Sequence, residues 1–242
     1  MTHEPAEDMT AIAAERVDPL AGSPWSRPET VAGFAASPPN ATLLDFARHE
    51  LQRVTQGCVV DLGCGAGRNA IPLAEQGWTV LGVDLSLPML EAARSRTAGT
   101  SLHARTQFVL APMESLPIAD ASADLIVAHG IWNLAPSSAV FRRAVREAAR
   151  VAKIGAGLFV FTFSRNTLPP HAAPIVGERF VFTQFSGEPQ CFLTHVELLS
   201  ELALQGFEPD AAVPLREHNR RAHGRAGSGP PVIYEAAFRR VR

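Results

Sequence analysis

Val59-Val60-Asp61-Leu62-Gly63-Cys64-Gly65-Ala66-Gly67-Arg68-Asn69 decides how this 242-residue chain folds. It reads as an apolar strand, a turn with a glycine at every second position, and the start of a helix. Glycine belongs where φ is positive or where a ligand meets bare backbone. A helix N-terminus adds free N–H groups and a partial positive charge, which suits an anionic ligand. Further on, Thr79-Val80-Leu81-Gly82-Val83-Asp84 is a second apolar strand that ends in an acid. An acid at that tip is placed to accept from two ribose hydroxyls. Together the two stretches predict a nucleoside-bearing cofactor on a Rossmann-like sheet.

Working outward, strand and helix patterns alternate, as in a doubly wound α/β sheet. Strands are expected near 58–62, 79–84, 107–110, 124–129 and 158–163, with helices near 67–76, 87–96, 138–152 and 195–205. Thr194 and Glu197 form a capping box for the last helix, and Gly206 stops it. The stretch 231–238 is the expected final strand. Residues 1–22 are expected to be weakly ordered, and 23–242 to form a single domain. Within it, 23–56 is an N-terminal cap carrying Trp25, Phe34 and an amphipathic helix from Leu43 to Val54. Residues 165–193 are an insertion too long for a simple connection.

The glycine spacing separates two cofactor classes. Dinucleotide folds want G-x-G-x-x-G, but the third glycine counted from Gly63 is Arg68. The pattern D-x-G-x-G-x-G instead resembles motif I of the class I S-adenosylmethionine-dependent methyltransferases, of the methyltransferase-11/25-like small-molecule type. The resemblance continues through Asp84-Leu85-Ser86-Leu87-Pro88-Met89-Leu90-Glu91-Ala92-Ala93, Glu114-Ser115-Leu116-Pro117 and Ser122-Ala123-Asp124-Leu125-Ile126-Val127, covering about residues 57–164. It implies a Rossmann-like fold, mostly parallel with an antiparallel C-terminal strand. It also implies S-adenosyl-L-methionine as cofactor and methyl transfer to a small-molecule acceptor. The Gly-x-Gly-Arg-Asn run is shared with methyltransferases resembling the tellurite-resistance type, so metalloid acceptors join the list. A cofactor-binding regulatory protein without catalysis and an NAD-type oxidoreductase are the competing readings.

The resemblance assigns cofactor contacts to Asp61, Gly63, Cys64, Gly65, Gly67, Arg68, Asn69, Asp84, Leu85, Met113, Glu114 and His129. Asp84 is the ribose acid, and Asp61 orients the loop and the cofactor's amino group. Arg68 either reaches the cofactor's carboxylate as a bidentate partner or is a surface helix residue. Cys64 fills space in the loop. The family's usual acid after the third strand is replaced by Pro112, which leaves Met113 to pack on the adenine. His129, at the tip of the fourth strand, is either a general base or a wall histidine that packs and makes one hydrogen bond. Trp25, Trp132, Asn133, Arg165 and His171 are the candidate acceptor contacts, with the insertion forming the acceptor side of the pocket.

Composition narrows the setting. Net charge is −2 and the isoelectric point is near 6.4, which gives no electrostatic footprint for nucleic acid. An Arg-rich patch at Arg216, Arg220, Arg221 and Arg225 reads either as a solvated loop or as an anion site. Cys58, Cys64 and Cys191 have neither metal-ligand nor disulfide spacing, so no metal site is expected and a reducing cytoplasm fits. No apolar run approaches a membrane span, and the acidic start lacks the basic region of a signal peptide. A monomer or homodimer is expected.

Overall fold

The computed structural model describes residues 17–220 and 230–242. Residues 1–16 of the expected N-terminal segment, and Arg221 and Arg225 of the basic patch, lie outside the described residues. In chain order the elements are α1 (Pro28–Ala36), α2 (Ala41–Leu51), β1 (Cys58–Leu62), α3 (Ala70–Glu75), β2 (Thr79–Asp84), α4 (Leu87–Thr97), β3 (Thr106–Leu110), β4 (Ala123–His129), α5 (Ser138–Val151), β5 (Ala152–Phe163), β6 (Val181–Phe182), β7 (Gln190–Cys191), α6 (His195–Leu204), β8 (Phe207–Pro209), β9 (Arg216–His218) and β10 (Ile233–Arg240). The main sheet has the order β3-β2-β1-β4-β5-β10-β8, with β9 also on β10. The first five of these strands pair in parallel, and β10 returns antiparallel to β5. This is the doubly wound, mostly parallel sheet that the alternating pattern predicts.

Side chains alternate across a strand, so each strand feeds two cores. Val60, Leu62, Ile126, Ala128, Leu158 and Val160 pack beneath α5 and α6 with Phe141, Val145, Leu198 and Leu202. Val59, Val80, Leu125, Val127 and Phe159 pack on the other face against Leu43, Phe46, Leu73 and Leu90 of α2, α3 and α4. Continuous apolar strands are what burial on both faces requires. The capping box of α6 forms as expected.

Several details differ from the sequence reading, among them the start of β5 at Ala152 rather than 158. Helix α3 begins at Ala70 rather than 67, because Gly67 and its neighbours form the turn that precedes it. Helix α2 begins at Ala41, where Asn40 caps it by accepting from Leu43 N. The last residues of the segment expected to be weakly ordered are tied down. The Asp18 carboxylate accepts from Leu87 N at 3.0 Å and from Ser26 Oγ at 2.5 Å.

Candidate active site

The carboxyl ends of β1, β2 and β4 meet the cap around a cavity of about 670 Å³. Ligands of open α/β sheets bind at this end. Gly63, Gly65 and Gly67 all have positive φ, between 53° and 80°. At Gly65 a Cβ would meet nothing nearer than 3.8 Å, and the residue lines the cavity. Its backbone is therefore open to a ligand, and a side chain there would occupy ligand space.

Asp84 ties this loop to β2. Its Oδ2 accepts from Gly65 N and its Oδ1 from Ser86 N, both at 2.8 Å. A carboxylate has further lone pairs on both oxygens, and Asp84 borders the cavity. Burial raises its pKa, and the backbone N–H groups of Ser86, Gly65 and Leu85 work against that rise. Two donating hydroxyls would add to the second effect, which is how a ribose-binding acid should behave. Leu85, Met113 and Glu114 complete this side.

Asp61 sits at the end of β1, 1 % exposed, and its Oδ2 has no hydrogen-bond partner among the described residues. Burial raises its pKa to about 7, against the pull of Arg68, and Asp84 adds to the rise. A buried carboxylate oxygen without a partner is costly, but Asp61 is not among the residues that line the cavity. Asp84 and Gly65 thus suit a nucleoside cofactor that approaches bare backbone.

The opposite wall contains Arg68, His129, Asn40 and Phe161. His129 and Phe161 are register partners in β4 and β5, and Phe161 is the partner of Glu235 in β10. The three side chains therefore share one sheet face, with the N-cap of α2 above them. The His129 ring stacks on Phe161 at 4.1 Å. Its Nδ1 is 2.9 Å from an Arg68 guanidinium nitrogen and its Nε2 is 3.3 Å from Asn40 Nδ2. Burial first, then the Arg68 charge, pushes its pKa down to about 3. A ring that packs on Phe161 and meets Arg68 and Asn40 accords with the wall-histidine alternative, and a lowered pKa favours its neutral form.

Several other expected contacts do not reach the cavity. Cys64 is buried, with a raised pKa, and an added Cβ at Gly82 would lie 2.7 Å from its sulfur, so it fills the space beside β2. Gly67 turns the chain into α3. Asn69 spends its Oδ1 on Asn40 N at 3.0 Å. Trp132 is fully buried against Phe141, and Asn133 is 3 % exposed, so both belong to the core. Arg165 donates to the carbonyls of Leu168, Pro169, Pro170 and Ala172, and His171 is exposed. No residue of 165–193 lines the cavity. The insertion instead carries a short β6–β7 hairpin that forms its own two-stranded sheet.

Trp25 is at the cavity as expected, joined there by Phe34, Pro38 and Asn40 of the cap and by Ile131, Leu134, Pro136 and Val140 after β4. Asn40 was legible in principle, because an Asn directly before an amphipathic helix is a preferred N-cap. The aliphatic residues after β4 carry no local signal. Among the described residues there is no group of His, Cys, Asp and Glu that would hold a metal ion.

Residues 60–161 match the family described as a methyltransferase domain. Over 123 residues the chain is 30 % identical to the ubiquinone/menaquinone biosynthesis C-methyltransferase UbiE of Geotalea daltonii, covering 49 % of this chain and 51 % of that protein. The chain spans about half the length of the curated relatives it matches. An S-adenosylmethionine-dependent methyltransferase structure from Methanosarcina mazei superposes with a TM-score of 0.63 at 23 % identity, over 78 % of this chain and 94 % of that one. The Burkholderia thailandensis 1,6-didemethyltoxoflavin-N1-methyltransferase, solved with its substrate and S-adenosylhomocysteine, gives 0.59 at 20 % identity over 84 % and 79 %. Residues 60–161 thus resemble a methyltransferase domain, and the fold is the Rossmann-like form expected from Asp61 to Asp84.

Proposed function

We propose that this chain transfers a methyl group from S-adenosylmethionine to a small-molecule acceptor. The carrying observation is Asp84, whose Oδ2 holds the glycine loop at Gly65 N and whose Oδ1 holds Ser86 N while the residue borders the cavity. In this reading Asp84 accepts from the ribose hydroxyls, Gly65 admits the amino-acid part against bare backbone, Asp61 meets the ammonium, and Met113 packs on the adenine. The bound cofactor supplies an activated methyl group on a sulfonium. The chain itself then has to exclude water and hold the acceptor in line, which is worth on the order of 7–11 kcal/mol in favourable cases. Trp25 and Phe34 enclose the cavity from the cap, and Phe161 and Ile131 shape the acceptor's space.

Small acceptors are supported by relatives named for quinone C-methylation and for toxoflavin N1-methylation. A nucleic-acid acceptor has no support in a net charge of −2. The three cysteines are unpaired, which supports a reducing cytoplasmic setting. No helix among the described residues is long and apolar enough to cross a membrane.

The test is calorimetry with S-adenosylmethionine, S-adenosylhomocysteine and NAD. Binding of the first two and not of NAD is expected. NAD binding without S-adenosylhomocysteine binding overturns the reading. Cofactor binding with no methylation of any quinol, phenol, amine or thiol offered favours a regulatory protein.

A further inference from the structure

The wall opposite Asp84 holds a conflict of donors. Both ring nitrogens of His129 face one, an Arg68 guanidinium nitrogen at 2.9 Å from Nδ1 and Asn40 Nδ2 at 3.3 Å from Nε2. A neutral imidazole has one N–H and one acceptor nitrogen, so it can accept from only one of them. Asn40 cannot yield by turning its amide. Its Oδ1 accepts from Leu43 N at 2.8 Å, its Nδ2 donates to Glu235 Oε1 at 2.8 Å, and its backbone N is held by Asn69 Oδ1. Glu235 is itself fixed by His218 Nε2 at 3.1 Å.

Arg68 has no such anchorage. His129 is its one hydrogen-bond partner among the described residues, and it forms no ion pair there. It is half-buried, lines the cavity, and lies 6.0 Å from the Phe34 ring centroid. The nearby charge that acts on it is Asp61. Arg68 is therefore the surplus donor, a guanidinium with spare N–H groups beside open space. Arg68 thus turns spare N–H groups toward the cavity, which is the pattern for receiving an anionic oxygen.

We propose that Arg68 is a two-position residue: it rests on His129 Nδ1 and transfers to the carboxylate of a molecule bound in the cavity. His129 then takes the Nδ1–H tautomer, accepts from Asn40 at Nε2, and offers Nδ1–H to the same carboxylate. The ring exchanges its proton with water, losing one at Nε2 and gaining one at Nδ1, so no other bond changes. The carboxylate comes from the cofactor's amino-acid end or from the acceptor. The inference deepens the proposed function and rests on it for what enters the cavity.

Two measurements test it. By ¹⁵N NMR, His129 should be Nε2–H in the free protein and Nδ1–H once the cavity is filled. Arg68→Met should show Nδ1–H without ligand. One unchanging tautomer overturns the exchange. By calorimetry, Arg68→Met should lose about tenfold or more, the scale of a charge-assisted pair, for one of two probes. If the carboxylate is the cofactor's, S-adenosylhomocysteine weakens while 5′-methylthioadenosine, which lacks the amino-acid end, does not. If it is the acceptor's, both nucleosides bind as before and benzoate no longer binds the protein saturated with S-adenosylhomocysteine. Equal loss for both nucleosides, or no loss for any probe, overturns the proposal. Arg68→Lys, which keeps the charge, should recover part of the affinity. Failure of the wild type to bind either nucleoside would instead strike the methyltransferase reading, and the Arg68→Met tautomer would still judge the wall.

Discussion

The cap and the insertion meet very different ends in the fold. Trp25, Phe34 and Pro38 of the cap, with Leu20 just before it, line the cavity, whereas residues 165–193 contribute nothing to it. Both are rich in prolines and aromatic rings, so composition does not separate them. What separates them is whether their groups find partners inside the segment. The Arg165 guanidinium is consumed by four carbonyls and lies 4.8 Å over Phe182. Phe182, Phe185 and Phe192 pack edge-on, with Phe163 of β5 stacked on Phe192, and Phe180 enters the main core against Phe141. The cap satisfies less of itself. Trp25 and Phe34 meet edge-on at 5.9 Å, both are half-buried, and the segment is fastened to α4 through Asp18 and through the Trp25 carbonyl, which accepts from Ser86 Oγ. A segment with unspent apolar faces and only a few latches is the one suited to meet a ligand.

The largest expected effect lies beneath the cap. Gly65→Val puts a branched side chain into ligand space at φ 53°, and S-adenosylhomocysteine binding should become undetectable by calorimetry. The left-handed backbone adds a strain of ~1–2 kcal/mol, so a lower melting temperature is expected as well. Gly65→Ala carries similar strain with less bulk and should bind weakly. Normal binding by the valine variant would mean that the loop does not touch the ligand. Next comes Asp84→Ala, which removes bonds of ~1.5–3 kcal/mol each to a charged acceptor and should lower affinity at least about tenfold. Unchanged affinity in a folded variant would remove Asp84 from the site.

The comparison itself is broken or sharpened by a pair of variants. Trp25→Ala should weaken cofactor or acceptor binding about three- to tenfold, the scale of an aromatic contact of ~0.5–1.5 kcal/mol with some lost burial, and leave the melting temperature nearly unchanged. Arg165→Ala should do the reverse. Orphaned carbonyls cost about 1–2 kcal/mol, which in a chain of this size is a fall of about 2–8 °C, with binding and turnover intact. Loss of turnover by Arg165→Ala without loss of stability would return the insertion to the acceptor site.

The same contrast explains what the sequence made legible. The alternation of strands and helices, the glycine loop and Asp84 are local signals, since a strand, a turn and an acid follow one another along the chain and cannot be rearranged by distant packing. Trp132, Asn133, Arg165 and His171 were placed by position alone, as polar or aromatic residues near the right end of the sheet. Whether such a residue faces the cavity depends on partners far away in sequence. Trp132 is claimed by Phe141 and Arg165 by its own loop. Asn40 shows the opposite failure, because its role needs Glu235 and His129, brought beside it only by the register of β4, β5 and β10.

The smallest expected effect concerns pH and Asp61. Its pKa is about 7 in the fold against an ordinary 3.8, with burial as the main cause. A raised carboxylate pKa means that the unfolded chain gives up its proton first. The stability Asp61 contributes is therefore full below 3.8 and is lost as pH rises toward about 7. His129, lowered from 6.5 to about 3, acts with the opposite sign, contributing fully above 6.5 and losing that contribution as pH falls toward 3. Asp61→Asn removes only the first trend. Its melting temperature relative to wild type should thus be higher at pH 8 than at pH 4, measured without ligand. Binding should move the other way. An ammonium is attracted by the ionised carboxylate, so wild-type affinity for S-adenosylhomocysteine should rise a few-fold from pH 6 to pH 8, within the tenfold that one unit of pKa shift allows. In Asp61→Asn that rise should flatten while Arg68 and Asp84 keep the site assembled. A rise that persists in the variant would assign the titration to another group and leave the buried Oδ2 of Asp61 without a ligand partner.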